Sequence, residues 1–97
     1  MNPNSPTGQY VGREALETLL GSSPRSTRFW IDETYVEYAC HDRSLEQFAD
    51  ASQNVAICKS MSKVYALSGA RCAYLCGPSP MMDALRGIPP PWAVILP

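Results

Sequence analysis

The chain has 97 residues, of which 45% are hydrophobic and 18% are charged, and its net charge is −1. This length is enough for one small domain with a thin core and too short for two domains. The near balance of 8 basic and 9 acidic residues gives no electrostatic basis for binding nucleic acid or an anionic membrane. No apolar run approaches the roughly 18 residues of a membrane span. We therefore expect neither partner.

The four cysteines are too few for a disulfide scaffold, and most of them lie in apolar runs. The polar, proline-containing amino terminus is unlike a signal peptide. We therefore expect reduced thiols in a cytoplasmic protein. A zinc site could be assembled from Cys40, His41, Cys58, Cys72 and Cys76. We predict no metal site, because the sequence contains no C-x-x-C spacing.

The first third of the chain predicts a helix followed by a strand. The segment NPNSPTG is rich in turn-forming residues. Apolar residues at helical spacing then predict a helix from Gly12 to Leu20, with Gly21 as its stop. The aromatic and β-branched segment TRFWID predicts a strand that ends near Asp32.

The rest of the chain predicts two more strands and more helix. One or two helical turns are expected from Leu45 to Ala51, and the nearly continuous apolar run NVAICKS predicts a buried strand. RCAYLCG predicts a third strand, and SPMMDALRGI predicts a helix with Ser79 as a possible cap. This order indicates an α/β domain of about three strands with flanking helices, in which the first two strands are parallel through a crossover.

Two chemically distinctive residues, Asp32 and Lys63, follow the carboxyl ends of these two strands. Ligand crevices in open α/β sheets lie outside those ends, so we expect both side chains at one edge of the sheet. A lysine there can form an imine with an aldehyde such as pyridoxal 5′-phosphate (PLP). PLP also needs an acid at its ring nitrogen and donors for its phosphate. Asp32 is an acid of the required type, and suitable phosphate donors are present in Ser60, Ser62 and Arg71.

Three segments, in this order, resemble the PLP-dependent aminotransferases of fold type I, the class I/II group. They are NPNSPTG, WIDETY and SMSKVYALSGARCAY. The form SKxxALSGxRC and a later PPW are most similar to histidinol-phosphate aminotransferases and to threonine-phosphate decarboxylase. The resemblance implies that residues 1–97 are an internal part of the large, PLP-binding domain of a longer enzyme.

The resemblance also implies a role for each residue of the motifs. Lys63 would bind PLP as a Schiff base and later move a proton between the substrate α-carbon and C4′ of the cofactor. Asp32 would pair with the pyridine nitrogen, and Tyr35 would donate a hydrogen bond to the 3-oxygen of the ring. The phosphate would be held by Ser60, Ser62 and Arg71.

One position departs from the family pattern. The family commonly has an asparagine directly before PTG, which donates to the same 3-oxygen, but this chain has Ser5 there, preceded by Asn4. Ser5 could donate from its shorter side chain, or Asn4 could reach the cofactor. Both residues also favour turns without any ligand, so both stay candidates.

For the whole enzyme the resemblance implies an aminotransferase of the histidinol-phosphate or aromatic type, with amino-acid and 2-oxo-acid substrates and a homodimeric assembly. A PLP-dependent decarboxylase or lyase is the alternative, because the lysine site does not encode which bond is broken. A non-catalytic truncated remnant is a third hypothesis. The S-x-x-K pattern of penicillin-binding enzymes, with Ser60 as nucleophile, is disfavoured because the companion motifs S-D-N and K-T-G are absent.

Overall fold

Three strands form a single sheet in the computed structural model, which describes residues 1–39 and 41–88. Cys40 and the PPW segment lie outside these residues. The strands are β1 (Phe29–Asp32), β2 (Val55–Ser60) and β3 (Ala73–Cys76), in the spatial order β1-β2-β3.

The first two strands are parallel and the third is antiparallel to its neighbour. The predicted α/β domain with three strands, flanking helices and a parallel first pair is confirmed. β3 runs antiparallel because residues 61–72 return the chain through turns, whereas a parallel neighbour needs a longer crossover, usually a helix.

Within the described residues, four α-helices and one 3-10 turn accompany the sheet. They are α1 (Arg13–Ser22), α2 (Val36–Ala39), the 3-10 turn His41–Arg43, α3 (Glu46–Ala51) and α4 (Ser79–Arg86).

Two predicted helix boundaries are wrong. Helix α1 continues through Gly21 to Ser22, because glycine inside a helix costs only about 1 kcal/mol and does not by itself stop it. In α4 the cap position is Pro78, which is extended, and no side chain caps the helix; Ser79 is already helical. The short helix α2 was not predicted, since one turn is too short for a periodic pattern.

The core lies on one face of the sheet. Val55 and Ile57 of β2 pack there with Leu20 of α1 and with Leu45 and Ala49 at α3, and all five are buried. Side chains alternate along a strand, so neighbouring residues in β2 face opposite sides of the sheet. This alternation decides which polar residues enter the core and which face outward.

The opposite face of the sheet is more exposed to solvent on its two outer strands, β1 and β3. Trp30 of β1 is 56% exposed and Leu75 of β3 is 39% exposed. Helix α4 begins close to this part of the sheet because Gly77 has no side chain: a Cβ there would lie 2.9 Å from the carbonyl oxygen of Val55. Among the described residues, no helix is long and apolar enough to cross a membrane.

Candidate functional site

Asp32, the predicted partner of a cofactor ring nitrogen, lies at the carboxyl end of β1. It is half-buried and stands in register with Cys58 of β2. Its Oδ1 accepts a hydrogen bond of 2.9 Å from the backbone N–H of Thr34. Burial and then the charge of Asp32 raise the pKa of the Cys58 thiol. The carboxylate is therefore held by the turn that follows it, beside a thiol that stays protonated.

The turn after Asp32 is tied to the end of β2. The N–H of Glu33 donates to the carbonyl of Cys58 at 2.9 Å, and the N–H of Ser60 donates to Thr34 Oγ1 at 3.0 Å. These bonds continue the contact between the two strands beyond the end of β1. They fix the segment leading to Tyr35 against the strand that carries Ser60.

The predicted phosphate-binding residues lie together at this end of β2. The hydroxyl oxygens of Ser60 and Ser62 are 2.7 Å apart, and Ser62 N–H donates to Ser60 Oγ at 3.3 Å. The N–H of Met61 donates to the carbonyl of Cys72 at 3.0 Å, which brings the segment that follows Arg71 back to this end of β2. Two hydroxyls and an exposed guanidinium are suitable donors for a phosphate.

Arg71 has an unusual backbone conformation, with φ of 51°. Few non-glycine residues adopt this left-handed region. Its N–H points to the carbonyl of Ser68 at 3.4 Å, at the end of the turns that return the chain to β3. The conformation belongs to the turns that return the chain from β2 to β3.

Lys63 lies three residues beyond β2 and is exposed. Its backbone carbonyl accepts the N–H of Ala66 at 3.0 Å. Within residues 1–39 and 41–88, its side chain has no hydrogen bond or ion pair. The fold thus brings Lys63, Asp32 and Ser60 to one edge of the sheet, without a polar contact between the lysine and the other two.

Asn4 and Ser5 lie on a cleft of about 360 Å³ that is also lined by Tyr35. The cleft lies between the first turn and helix α2. Asn4 Nδ2 donates to Thr7 Oγ1 at 2.7 Å, and the Asn4 carbonyl accepts the N–H of Gly8, whose φ of 72° the turn requires. The first turn is joined to β1 because Asn2 N–H donates to the carbonyl of Asp32 at 2.8 Å. Both candidates therefore neighbour Tyr35, and the amide of Asn4 is already engaged within the turn.

A cluster of polar and charged residues that the sequence analysis missed lies on the core face of β2, opposite the face of Ser60. Lys59 is 4% exposed, and its Nζ lies 2.8 Å from Glu37, 3.1 Å from Glu46 and 4.0 Å from Glu33. Glu46 also accepts a hydrogen bond from the hydroxyl of Tyr74. We call these five residues the Lys59 cluster. The sequence does carry a signal for it. Lys59 follows Ile57 and Val55 by two and four positions in the same strand, and both of those residues face the core.

Electrostatics holds Lys59 in its protonated form. Burial alone would lower the pKa of Lys59, but hydrogen bonds to Glu37 and Glu46 outweigh it and raise that pKa well above its ordinary value. Burial likewise opposes ionisation of Glu37, yet the bond from Lys59 lowers its pKa. A nucleophilic lysine must be neutral. Lys59 is therefore unsuited to react with an aldehyde, which leaves Lys63 as the other lysine of the sequence.

Glu33 occupies the most enclosed position of the cluster, at 1% exposure. Its carboxylate accepts bonds from Ser44 Oγ at 2.7 Å and from the N–H of Leu45 at 2.8 Å. Burial raises the pKa of Glu33, and these two bonds oppose that rise. No set of three or more histidine, cysteine and acidic side chains in the described part of the chain is arranged to hold a metal ion.

Comparison with known proteins places this geometry in a family. The family model described as aminotransferase class I and II matches residues 1–97. An aromatic amino acid aminotransferase from Corynebacterium jeikeium is 35% identical over 95 residues, which are 96% of this chain and 26% of that protein. A histidinol-phosphate aminotransferase from Zymomonas mobilis is 34% identical over 98 residues, covering 98% of this chain and 26% of the relative.

A solved structure agrees with the sequence relatives. Histidinol-phosphate aminotransferase from Sinorhizobium meliloti, in complex with pyridoxal-5′-phosphate, superposes with a TM-score of 0.82 at 28% identity, over 91% of this chain and 24% of that one. The match agrees with the predicted partial α/β domain of fold type I. The chain spans about a quarter of the length of the relatives it matches. With the family model covering its whole length, the chain belongs to the class I and II aminotransferases.

Proposed function

We propose that the chain is the PLP-binding segment of an aminotransferase acting on amino acids of the histidinol-phosphate or aromatic type, through a Schiff base at Lys63. The observation that carries the proposal is that Asp32, Ser60 and Ser62 lie at one edge of the sheet. Lys63 follows them in the chain, and its side chain has no polar partner among the described residues. The names of the relatives and the cofactor in the solved neighbour support it.

The residues present fit PLP in chemical type. The hydroxyls of Ser60 and Ser62 and the guanidinium of Arg71 are donors at one end of the edge, where the phosphate would bind. Asp32 is an oriented carboxylate on the side of β1, where it would hold a proton on the ring nitrogen. When bound, PLP supplies an electron sink for bonds at the substrate α-carbon.

Each remaining residue has a positioning or proton-transfer role in this proposal. Tyr35 would donate to the 3-oxygen of the ring, together with Ser5 or Asn4 from the same cleft. Both stay candidates, because the Asn4 amide donates one hydrogen bond to Thr7 and has a second N–H. The Lys63 amine would move a proton between the α-carbon of the substrate and C4′ of the cofactor.

The properties of the whole enzyme belong to the same proposal. Residues 1–97 would be part of its large domain, with an amino acid and a 2-oxo acid as substrates, a homodimeric assembly and a cytoplasmic location. The family membership and the names of the relatives support the substrate class. The dimer and the compartment stay predictions.

The proposal is tested by trapping the cofactor on the chain. The purified chain is mixed with PLP, reduced with borohydride and digested, and the pyridoxyl adduct is located by peptide mass spectrometry. We expect the adduct at Lys63 in roughly tenfold excess over Lys59, because a buried, protonated amine reacts poorly. Lys63→Arg is the matched control and should remove the label. Equal labelling of both lysines, or label at Lys59 alone, would contradict the proposal.

A further inference from the structure

The Lys59 cluster joins three separate parts of the chain at one ammonium group. Lys59 is the fifth residue of β2; Glu37 belongs to α2, and Glu46 is the first residue of α3. Glu33 lies in the turn between β1 and α2. The side chains of Lys59, Glu33 and Glu37 are each at most 7% exposed, so solvent screens their interaction little.

The cluster places three carboxyl groups around a single cation. One ammonium faces three carboxylates, and Glu37 Oε2 is buried without a hydrogen-bond partner in the described part of the chain. Lys59 is the cation that neutralises this group. Removing it would leave buried carboxylates without a counter-charge, which they would relieve by moving apart or toward solvent.

The elements held by Lys59 are those that carry the proposed cofactor residues. Tyr35 lies between Glu33 and Glu37 in sequence, and Ser60 directly follows Lys59. Because side chains alternate, Lys59 faces the core while Ser60 faces the other side of the sheet. The hydrogen bond of 3.0 Å from Ser60 N–H to Thr34 Oγ1 completes the link between the turn and the strand. Movement of the carboxylates would therefore change the distance between the tyrosine and the serine.

We propose that Lys59 is a positioning residue of the cofactor site, which holds the turn bearing Tyr35 against the strand end bearing Ser60 from the opposite face of the sheet. The inference rests on the proposed function, because the cofactor site is part of that proposal. Its geometric support is the set of ion pairs that Lys59 makes. Lys59 touches no cofactor atom in this scheme. It acts by fixing the spacing between the ring-binding and phosphate-binding residues.

The direct test measures amide hydrogen exchange without PLP in Lys59→Met. We expect the Thr34 and Ser60 amides, which bond Asp32 Oδ1 and Thr34 Oγ1, to exchange roughly tenfold faster. The Phe29 amide, which bonds the carbonyl of Asn54 at the far end of β1, should change little. Equal acceleration at all three amides, or none, would overturn the positioning role.

Two matched variants separate positioning from general destabilisation. Leu20→Ala removes a buried side chain of α1 that is not in the Lys59 cluster, and it should accelerate all three amides alike. Lys59→Arg keeps the cation and should restore protection at Thr34 and Ser60 at least in part. The Thr34 and Ser60 amides could exchange as fast in Lys59→Arg as in Lys59→Met while the Phe29 amide stays protected. That result would show that the shape of the lysine side chain, not its charge, holds the turn, and it would overturn the ion-pair account.

A second readout links the position to the cofactor. The PLP dissociation constant of Lys59→Met should be roughly 10- to 100-fold larger than that of the unsubstituted chain, and that of Leu20→Ala should be nearly unchanged where both are folded. Equal PLP affinity in the two variants would overturn the inference alone. Failure of the unsubstituted chain to take up PLP at Lys63 would overturn the proposed function, while the exchange measurement still decides whether Lys59 fixes the turn.

Discussion

The two lysines of this chain lie four residues apart and have opposite environments. Lys59 is 4% exposed and neutralises carboxylates from three parts of the fold, whereas Lys63 is exposed and has no ion pair among the described residues. The first is inside β2 and faces the core, and the second is in the loop beyond it. The difference teaches that the end of the strand decides the environment of each lysine: the side chain is buried among carboxylates before that point and exposed after it.

Replacing the buried lysine should have the largest effect on stability. Lys59→Met should lower the free energy of unfolding by about 3 kcal/mol, because it leaves buried carboxylates without their cation. Urea denaturation followed by circular dichroism measures the change. Ordinary surface substitutions change the free energy of unfolding by less than about 0.5 kcal/mol. A loss that small would mean that Lys59 contributes no more to stability than an exposed lysine.

The same environment predicts a loss of stability at alkaline pH. Burial and the bond to Glu46 raise the pKa of Tyr74 to about 12, and the pKa of Lys59 is also raised. An unfolded chain releases these protons near 10.0 and 10.5, whereas the folded chain retains them. The stabilisation is therefore complete below pH 10.0 and is lost as the pH rises through the folded values.

Urea titrations from about pH 8 to about pH 11.5 measure this slope. Tyr74→Phe should make the fall shallower while leaving the part that comes from Lys59. An identical slope in Tyr74→Phe and the unsubstituted chain would show that the tyrosine proton is not coupled to folding.

Removing one carboxylate should have a smaller effect than removing the cation. Glu37→Gln should cost about 1 kcal/mol, because the amide oxygen can still accept from Lys59 and two other carboxylates remain. The pKa of Glu37 is lowered, so its stabilisation is present at neutral pH and is lost as the pH falls through that lowered value. When the free energy of unfolding is measured by urea titration at several acid pH values, Glu37→Gln should lack this loss of stability. Glu14→Gln, at an exposed position of α1, is the control and should retain it.

The exposed lysine should have the smallest effect on stability. Lys63→Met should change the free energy of unfolding by less than about 0.5 kcal/mol, because its side chain is exposed and has no ion pair in the part of the chain the structure describes. The same variant should lose borohydride-trapped PLP. A large loss of stability in thermal or urea unfolding would mean that Lys63 is engaged in the fold and would weaken its assignment as the reactive lysine.

Much of the fold could be predicted because its signals are local. The strands around Trp30, Ile57 and Leu75 have apolar or β-branched runs between turn residues, and each run is visible within a few positions. The helix ends at Gly21 and Ser79 were less predictable, because tertiary contacts override weak stop and cap preferences. Helix α2 is a single turn and carries no periodic pattern.

The locations of the candidate cofactor residues could also be anticipated, but for a different reason. Asp32 and Ser60 end neighbouring parallel strands and Lys63 follows the second of them, so the rule that parallel strands present their carboxyl ends at one edge predicts one location for all three. Their roles toward a cofactor stay predictions. Their motifs are short and contiguous. The structure adds that the Asn4 amide donates to Thr7 within the first turn. Which of Asn4 and Ser5 would contact the cofactor stays a prediction.

By itself the sequence predicted the order of the strands in the chain, the parallel first pair and the edge of the sheet at which Asp32 and Lys63 are expected. Only the tertiary structure decided that Lys59 is a buried cation. Its partners Glu37 and Glu46 lie 22 and 13 residues away in the chain and read as surface acids on short helices. Folding brings them within hydrogen-bond distance of one ammonium, and these bonds keep the buried lysine protonated although burial alone would lower its pKa.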